Sequence, residues 1–257
     1  MNPPKLVRSP RRNPGFMVPA ALILFTSFLQ GCVSGYAHHG NQWSYIAYPW
    51  GAWRQEYPMP AVDAASFHQI IGDYGEYGAD IHHVYHESNL IEGADPASFV
   101  DINGECWKDK SKVYWEGCPI QGADPRTFVV LKDGWFKDAR RAYNGAFSSM
   151  QVRDPSSFES INGDWARDSK AYYFGGYYAN AEAGEVVGAD YSTFHILKGA
   201  FARDRKNIYW GSMAIKNADL GSFEVGGGQH LQAKDRFRYY EFGKPVAKQE
   251  WASSPWR

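Results

Sequence analysis

Gly122-Ala123-Asp124-Pro125-Arg126-Thr127-Phe128, followed ten residues later by Asp138-Ala139-Arg140-Arg141-Ala142-Tyr143, is the stretch that decides the fold. Both halves recur. Asp-x-x-[Ser/Thr]-Phe stands at Asp63–Phe67, Asp95–Phe99, Asp124–Phe128, Asp154–Phe158, Asp190–Phe194 and Asp219–Phe223. Asp followed five residues on by Tyr stands at Asp80/Tyr85, Asp109/Tyr114, Asp138/Tyr143, Asp168/Tyr173, Asp204/Tyr209 and Asp235/Tyr240. A period of roughly thirty residues marks an array of supersecondary units. Residues common to every unit are therefore read first as architecture.

The spacing predicts short strands between turns. An Asp at the head of a turn accepts backbone N–H groups two and three residues on, and Pro96, Pro125 and Pro155 pre-set the next φ. The Ser or Thr is expected to bond back to the same turn, which points the Phe inward. Gly93, Gly122 and Gly188 precede three of these turns, where the chain must bend. An aliphatic follows the Phe (Ile70, Ile102, Leu131, Ile161, Leu197), then Asn103-Gly104, Asp133-Gly134, Asn162-Gly163 or Lys198-Gly199. Asn-Gly and Asp-Gly predict tight hairpins with two left-handed residues. An aromatic comes next (Trp107, Trp135, Trp165, Phe201), then the second Asp turn and a Tyr-rich strand. The predicted fold is all-β: about six β-meander units, with an open array favoured over a propeller-like ring because propeller repeats run to about forty residues or more.

No unit stands alone. Ordering thirty residues costs on the order of 45 kcal/mol at about 1.5 each, and a buried Phe or Ile returns only about 1.5–3 kcal/mol. Neighbours must share an aromatic core, and atypical ends must cap it. Trp43–Tyr57, with Trp43, Tyr45, Tyr48, Trp50, Trp53 and Tyr57, is the expected N-terminal cap.

The N-terminus reads as an address. Lys5, Arg8, Arg11 and Arg12 precede an apolar Met17–Leu29, too short to span a bilayer that needs about twenty residues. Leu29-Gln30-Gly31-Cys32 resembles a bacterial lipobox, which implies cleavage before Cys32, acylation there and, with Val33 next, export to the outer membrane. The alternative is an ordinary secretory leader with an incidental cysteine. The expected organisation is a signal peptide over 1–31, lipidated Cys and tether over 32–42, repeats over 43–247 and a tail over 248–257. With the leader's four basic residues removed, 23 Lys and Arg face 28 Asp and Glu, a net charge of −5 that argues against nucleic acid. Cys106 and Cys118 flank the Asp109–Tyr114 turn, and a cross-strand disulfide is expected, with two buried free thiols as the alternative.

Asp109-Lys-Ser-Lys-Val-Tyr-Trp115, Asp204-Arg-Lys-Asn-Ile-Tyr-Trp210 and Gly122–Phe128 resemble the DKNYY repeat family over about Tyr77 to Val246. The family carries no activity to transfer, so the resemblance implies architecture alone.

Each chemical motif has a plainer reading. The turn aspartates suggest calcium, but each turn offers one carboxylate beside basic residues such as Lys112, Arg140 and Lys170, whereas calcium takes six to eight oxygens. Turn formation with surface ion pairing is expected. His82, His83 and His86 suggest zinc only on a helix, and the repeat places them on a turn and strand. No metal, cofactor or catalytic residue is expected. The surplus spacing from Tyr173 to Asp190 predicts a protruding loop whose Tyr177 and Tyr178 suit an interface. The expected function is a lipid-anchored, non-catalytic binding or scaffold module for another protein, one form being an immunity-type inhibitor. A glycan or peptidoglycan binder is the alternative, and an enzyme the third.

Overall fold

A computed structural model describes residues 34–48, 53–70, 76–145, 148–176, 178, 180–226 and 231–254. The signal peptide, Cys32, Trp50, Tyr177 and Trp256 lie outside the described residues.

The chain is an array of seven small antiparallel sheets. The first is β1 (Gly35–His39), β2 (Gln42–Ala47) and β3 (Gln55–Pro58). Six four-stranded meanders follow: β4 (His68–Ile70), β5 (Tyr77–Ala79), β6 (Val84–His86) and β7 (Asn89–Leu90); β8 (Val100–Asp101), β9 (Cys106–Lys108), β10 (Val113–Trp115) and β11 (Cys118–Pro119). Next come β12 (Val129–Val130), β13 (Trp135–Lys137), β14 (Arg141–Asn144) and β15 (Ser148–Gln151), then β16 (Glu159–Ser160), β17 (Trp165–Arg167), β18 (Tyr172–Phe174) and β19 (Gly184–Glu185). The last two are β20 (His195–Lys198) to β23 (Met213–Ala214), through β21 (Phe201–Arg203) and β22 (Ile208–Trp210), and β24 (Glu224–Val225) to β27 (Lys244–Val246), through β25 (Gln232–Lys234) and β26 (Tyr239–Glu241). A short helix, α1 (Lys248–Ser253), ends the chain.

The predicted hairpins form by two routes. Asp133 and Gly134 both take positive φ, 58° and 74°, as the Asp-Gly signal requires. At Asn103 and Asn162 the asparagine stays right-handed and its side-chain oxygen accepts the next two strand amides instead: those of Glu105 and Cys106, and those of Asp164 and Trp165. Left-handed pairs also close the later hairpin of a unit, at Glu116-Gly117 and Phe242-Gly243.

Strand alternation gives each unit two working faces. Three residues before the second motif's Asp stand Tyr77, Cys106, Trp135, Trp165, Phe201 and Gln232, each buried; the first five face the following unit. Onto that face the next unit lays its motif Phe: Tyr77 meets Phe99 at 5.7 Å, Trp135 meets Phe158 at 5.7 Å, Trp165 meets Phe194 at 5.7 Å and Phe201 meets Phe223 at 5.7 Å. The same Phe packs on its own unit's Tyr, as Phe158 does on Tyr173 at 5.5 Å. Phe67, Phe99, Phe128, Phe158 and Phe194 are buried, and Phe223 is half-buried. Polar bonds reinforce the joints. Trp135 Nε1 donates to Asn162 O and Trp165 Nε1 to Gly199 O, each at 2.8 Å, while Lys108 and Lys137 donate to the carbonyls of Pro125 and Pro155 at 2.9 Å.

Both ends are capped. Tyr36 and Trp43 of the first sheet cover Phe67 at 5.1 and 4.6 Å, as the sequence predicts for the N-terminal segment. At the far end Gln232 replaces the aromatic and donates to the carbonyl of Trp251 at 3.1 Å, while Ser254 Oγ donates to Glu241. The stretches expected as tether and tail therefore join the fold. Gly35–His39 pairs along β2, and 248–254 closes the last unit.

Candidate functional site

The two repeated motifs meet in one buried node per unit. Asp168 shows the geometry. Its Oδ1 accepts the amides of Lys170 and Ala171 at 2.7 and 2.8 Å; its Oδ2 accepts the Tyr173 hydroxyl at 2.7 Å and the amide of Asp154 at 2.8 Å. The same four donors converge on Asp80, Asp109, Asp138, Asp204 and Asp235, drawn from Tyr85 and Asp63, Tyr114 and Asp95, Tyr143 and Asp124, Tyr209 and Asp190, and Tyr240 and Asp219. Burial alone would raise these carboxyls. The donors outweigh it, and Asp109 comes down to about 2. Burial and the adjacent carboxylate push Tyr209 and Tyr240 up to about 12.

The motif Ser or Thr does more than bond within its own turn. Ser98 Oγ donates to Asp95 at 2.6 Å, and it also accepts the amide of Lys110 at 3.0 Å. Ser66, Thr127, Ser157, Thr193 and Ser222 accept the equivalent amides of Ile81, Ala139, Ser169, Arg205 and Arg236. The two turns of a unit are thus locked together through side chains. The expected surface ion pairs also form, at Lys110–Asp95, Arg126–Asp124, Arg205–Asp190 and Arg236–Asp219.

The expected disulfide is overturned by register. Trp115 of β10 pairs with Cys106 on one side and Cys118 on the other, so two strand spacings of about 4.8 Å separate the thiols. That is beyond the 7 Å Cα limit of a bridge. Both cysteines are free: Cys106 is buried and Cys118 exposed. Burial pushes the Cys106 thiol up to about 12. Cys106 fills the joint position that aromatics hold in four other units.

The insertion folds back as a strap. Tyr178 is half-buried; its hydroxyl donates to Asp164 at 3.0 Å, and its ring lies edge-on to Trp210 at 5.7 Å. Glu182 O accepts the amide and hydroxyl of Ser212, and Asn180 accepts Lys244 Nζ at 2.7 Å. The segment ties the fourth unit to the fifth and sixth, so Tyr178 is not the free interface residue expected. Extra length in one unit cannot by itself reveal that its sister units receive it.

His82 and His83 sit exposed on the first Asp turn, and His86 Nε2 lies 3.4 Å from Glu76 Oε2. Among the described residues, no group of three His, Cys, Asp or Glu side chains is gathered as a metal cluster.

A surface groove crosses three successive units. Lys132 comes from the third, Glu159, Arg167 and Tyr172 from the fourth, and His195 from the fifth. Glu159 and Arg167 pair at 2.7 Å. Tyr172 stacks on Phe194 at 4.3 Å and meets Tyr191 at 5.0 Å. The residue after each motif Phe (His68, Val100, Val129, Glu159, His195, Glu224) is exposed in every unit. Its identity changes along the array while the buried positions recur.

The sequence pattern of the DKNYY family matches residues 80–244, and the chain belongs to that family. No curated protein and no solved structure matches it.

Proposed function

We propose that this DKNYY-family chain is a lipid-anchored envelope protein, facing the periplasm, that binds another protein and has no catalytic role. Cys32 carries the acyl anchor, and the outer membrane is its destination. One observation carries the binding reading. The array repeats its buried node in all six units yet presents exposed residues of three kinds after the motif Phe (His68 and His195, Val100 and Val129, Glu159 and Glu224), so a constant frame displays a varied surface. Repeat arrays of this kind engage one extended partner. The recurrent Asp–Tyr pairs invite an acid–base reading, but every carboxylate oxygen already accepts two donors from the fold. An immunity-type inhibitor is the concrete form we favour.

Affinity capture with the mature chain tests this. One stoichiometric envelope protein is expected, lost in the Val129→Asp/His195→Asp variant, both residues being exposed. Capture that survives the double change refutes the assigned surface. A glycan-binding alternative rests on Tyr191, exposed beside Tyr172. Co-sedimentation with purified cell wall, abolished by Tyr191→Ala, would favour it.

A further inference from the structure

The end of the first sheet gathers aromatic side chains at the point where the chain enters the fold. Register puts Gly35 opposite Ile46, and Ala47 opposite Gln55. Ser34, Tyr48 and Arg54 therefore lie at one end of the sheet, and Trp53 just beyond it. A depression there is lined by Ser34, Ala47, Tyr48, Tyr57, Glu87 and Asn89. Trp53 is 80% exposed and Tyr57 42% exposed, and among the described residues neither ring packs on another aromatic, whereas Tyr36, Trp43 and Tyr45 of the same sheet pack in the core. Arg54 pairs with Glu56 at 3.0 Å, and Glu87 adds a carboxylate to the lining of the depression.

Cys32 lies two residue steps before Ser34, no more than about 7 Å of chain. Two strand spacings of about 4.8 Å carry the sheet from β1 to β3. The aromatic end thus lies within reach of the surface in which acyl chains on Cys32 would be buried. Trp and Tyr favour the polar–apolar boundary of a bilayer, where the ring is buried and its N–H or O–H stays wet. Two exposed rings beside a carboxylate and no surplus cation fit that boundary better than an anionic ligand or a nucleic acid.

We infer that Trp53, Tyr57 and Tyr48 form a membrane-docking edge that rests in the lipid headgroup interface beside the anchor. This rests on the anchor reading above. Acyl chains alone leave a tethered body free to rotate. An aromatic edge beside them sets the direction in which the units leave the membrane.

The test uses the full exported protein, extracted in detergent and reconstituted into phosphatidylcholine vesicles containing bromine-labelled acyl chains. Intact mass reports acylation, flotation reports attachment, and quenching of tryptophan fluorescence reports ring depth. Acylated wild type should float and be quenched by the bromolipid; Trp53→Phe should float equally and lose most of that quenching. Acylated, floating protein whose quenching is the same in wild type and Trp53→Phe overturns the docking edge and leaves the anchor standing. A mature chain without acyl groups that fails to float overturns the anchor, and the docking edge with it.

Discussion

The indole Nε1 of Trp165 lies 2.8 Å from the carbonyl oxygen of Gly199, one unit further along the chain. A single side chain thus fills the apolar joint between the fourth and fifth units and satisfies a hairpin carbonyl across it. Trp165→Phe should keep most of the packing and lose about 1 kcal/mol for the hydrogen bond. Trp165→Ala should cost about 3–5 kcal/mol. Denaturant titration measures both, and hydrogen exchange should show the added opening concentrated at this joint.

The six nodes make stability depend on pH at both extremes. Folded-state carboxyls lie below their ordinary value of 3.8, with Asp109 at about 2. Their contribution is complete above the ordinary value and is lost as pH falls from there through about 2. The tyrosines run the other way. Tyr209 and Tyr240 stand at about 12 against an ordinary 10.0, so their contribution is complete below pH 10 and is lost as pH rises through about 12. Circular dichroism should show acid unfolding below pH 4, and absorbance should show the buried node tyrosines ionising only with alkaline unfolding. In Asp168→Asn the Oδ2 acceptor is removed, and a loss on the order of 3 kcal/mol is expected from its orphaned donors.

Gly243 is the tightest joint. It takes φ +71°, and a Cβ there would stand 2.3 Å from the Trp210 ring. Gly243→Ala should destabilise by roughly 2–4 kcal/mol through backbone strain and overpacking together, read as a lowered Tm. Gly134→Ala carries similar φ strain with open space around it, and should cost about 1 kcal/mol.

Thiol labelling separates the two cysteines. Exposed Cys118 should react with a maleimide at once in the native protein. Buried Cys106 should react only at the rate of local or global opening. Peptide mapping that finds a label on both Cys106 and Cys118 after denaturation without reductant checks that no bridge forms between them.

Tyr178→Ala should act on stability. Loss of its contact with Trp210 and its bond to Asp164 predicts about 2 kcal/mol. Tm and partner capture, measured together, distinguish strap from interface: Tm falls and capture persists on the folded fraction.

The period, the meander and the inward Phe residues were legible because a repeated motif multiplies a weak signal by six. The node itself was half legible. Asp124 and Asp138 each read as the head of a turn, but their meeting through the Asp124 amide is a tertiary contact that no local pattern encodes. The basic residue before the second Asp (Lys108, Lys137, Arg167, Arg203, Lys234) is a repeated signal that was present and unread, and in two units it spans a joint. The disulfide expectation failed on strand count, since a second reversal at Glu116-Gly117 puts β10 between the cysteines. The candidate surface was not legible, because exposed positions are those on which folding places no periodic demand.

Gln232 and Glu241 stand where other units offer rings, and α1 is laid over them. Among the described residues this terminal plate offers polar groups already engaged by the segment laid over it, in place of the ring-on-ring contact of the Trp135, Trp165 and Phe201 joints. The interior joints carry no such stop. In-frame duplication or loss of one module between the third and fifth units would leave both terminal plates intact, since each aromatic joint is made only between neighbouring units.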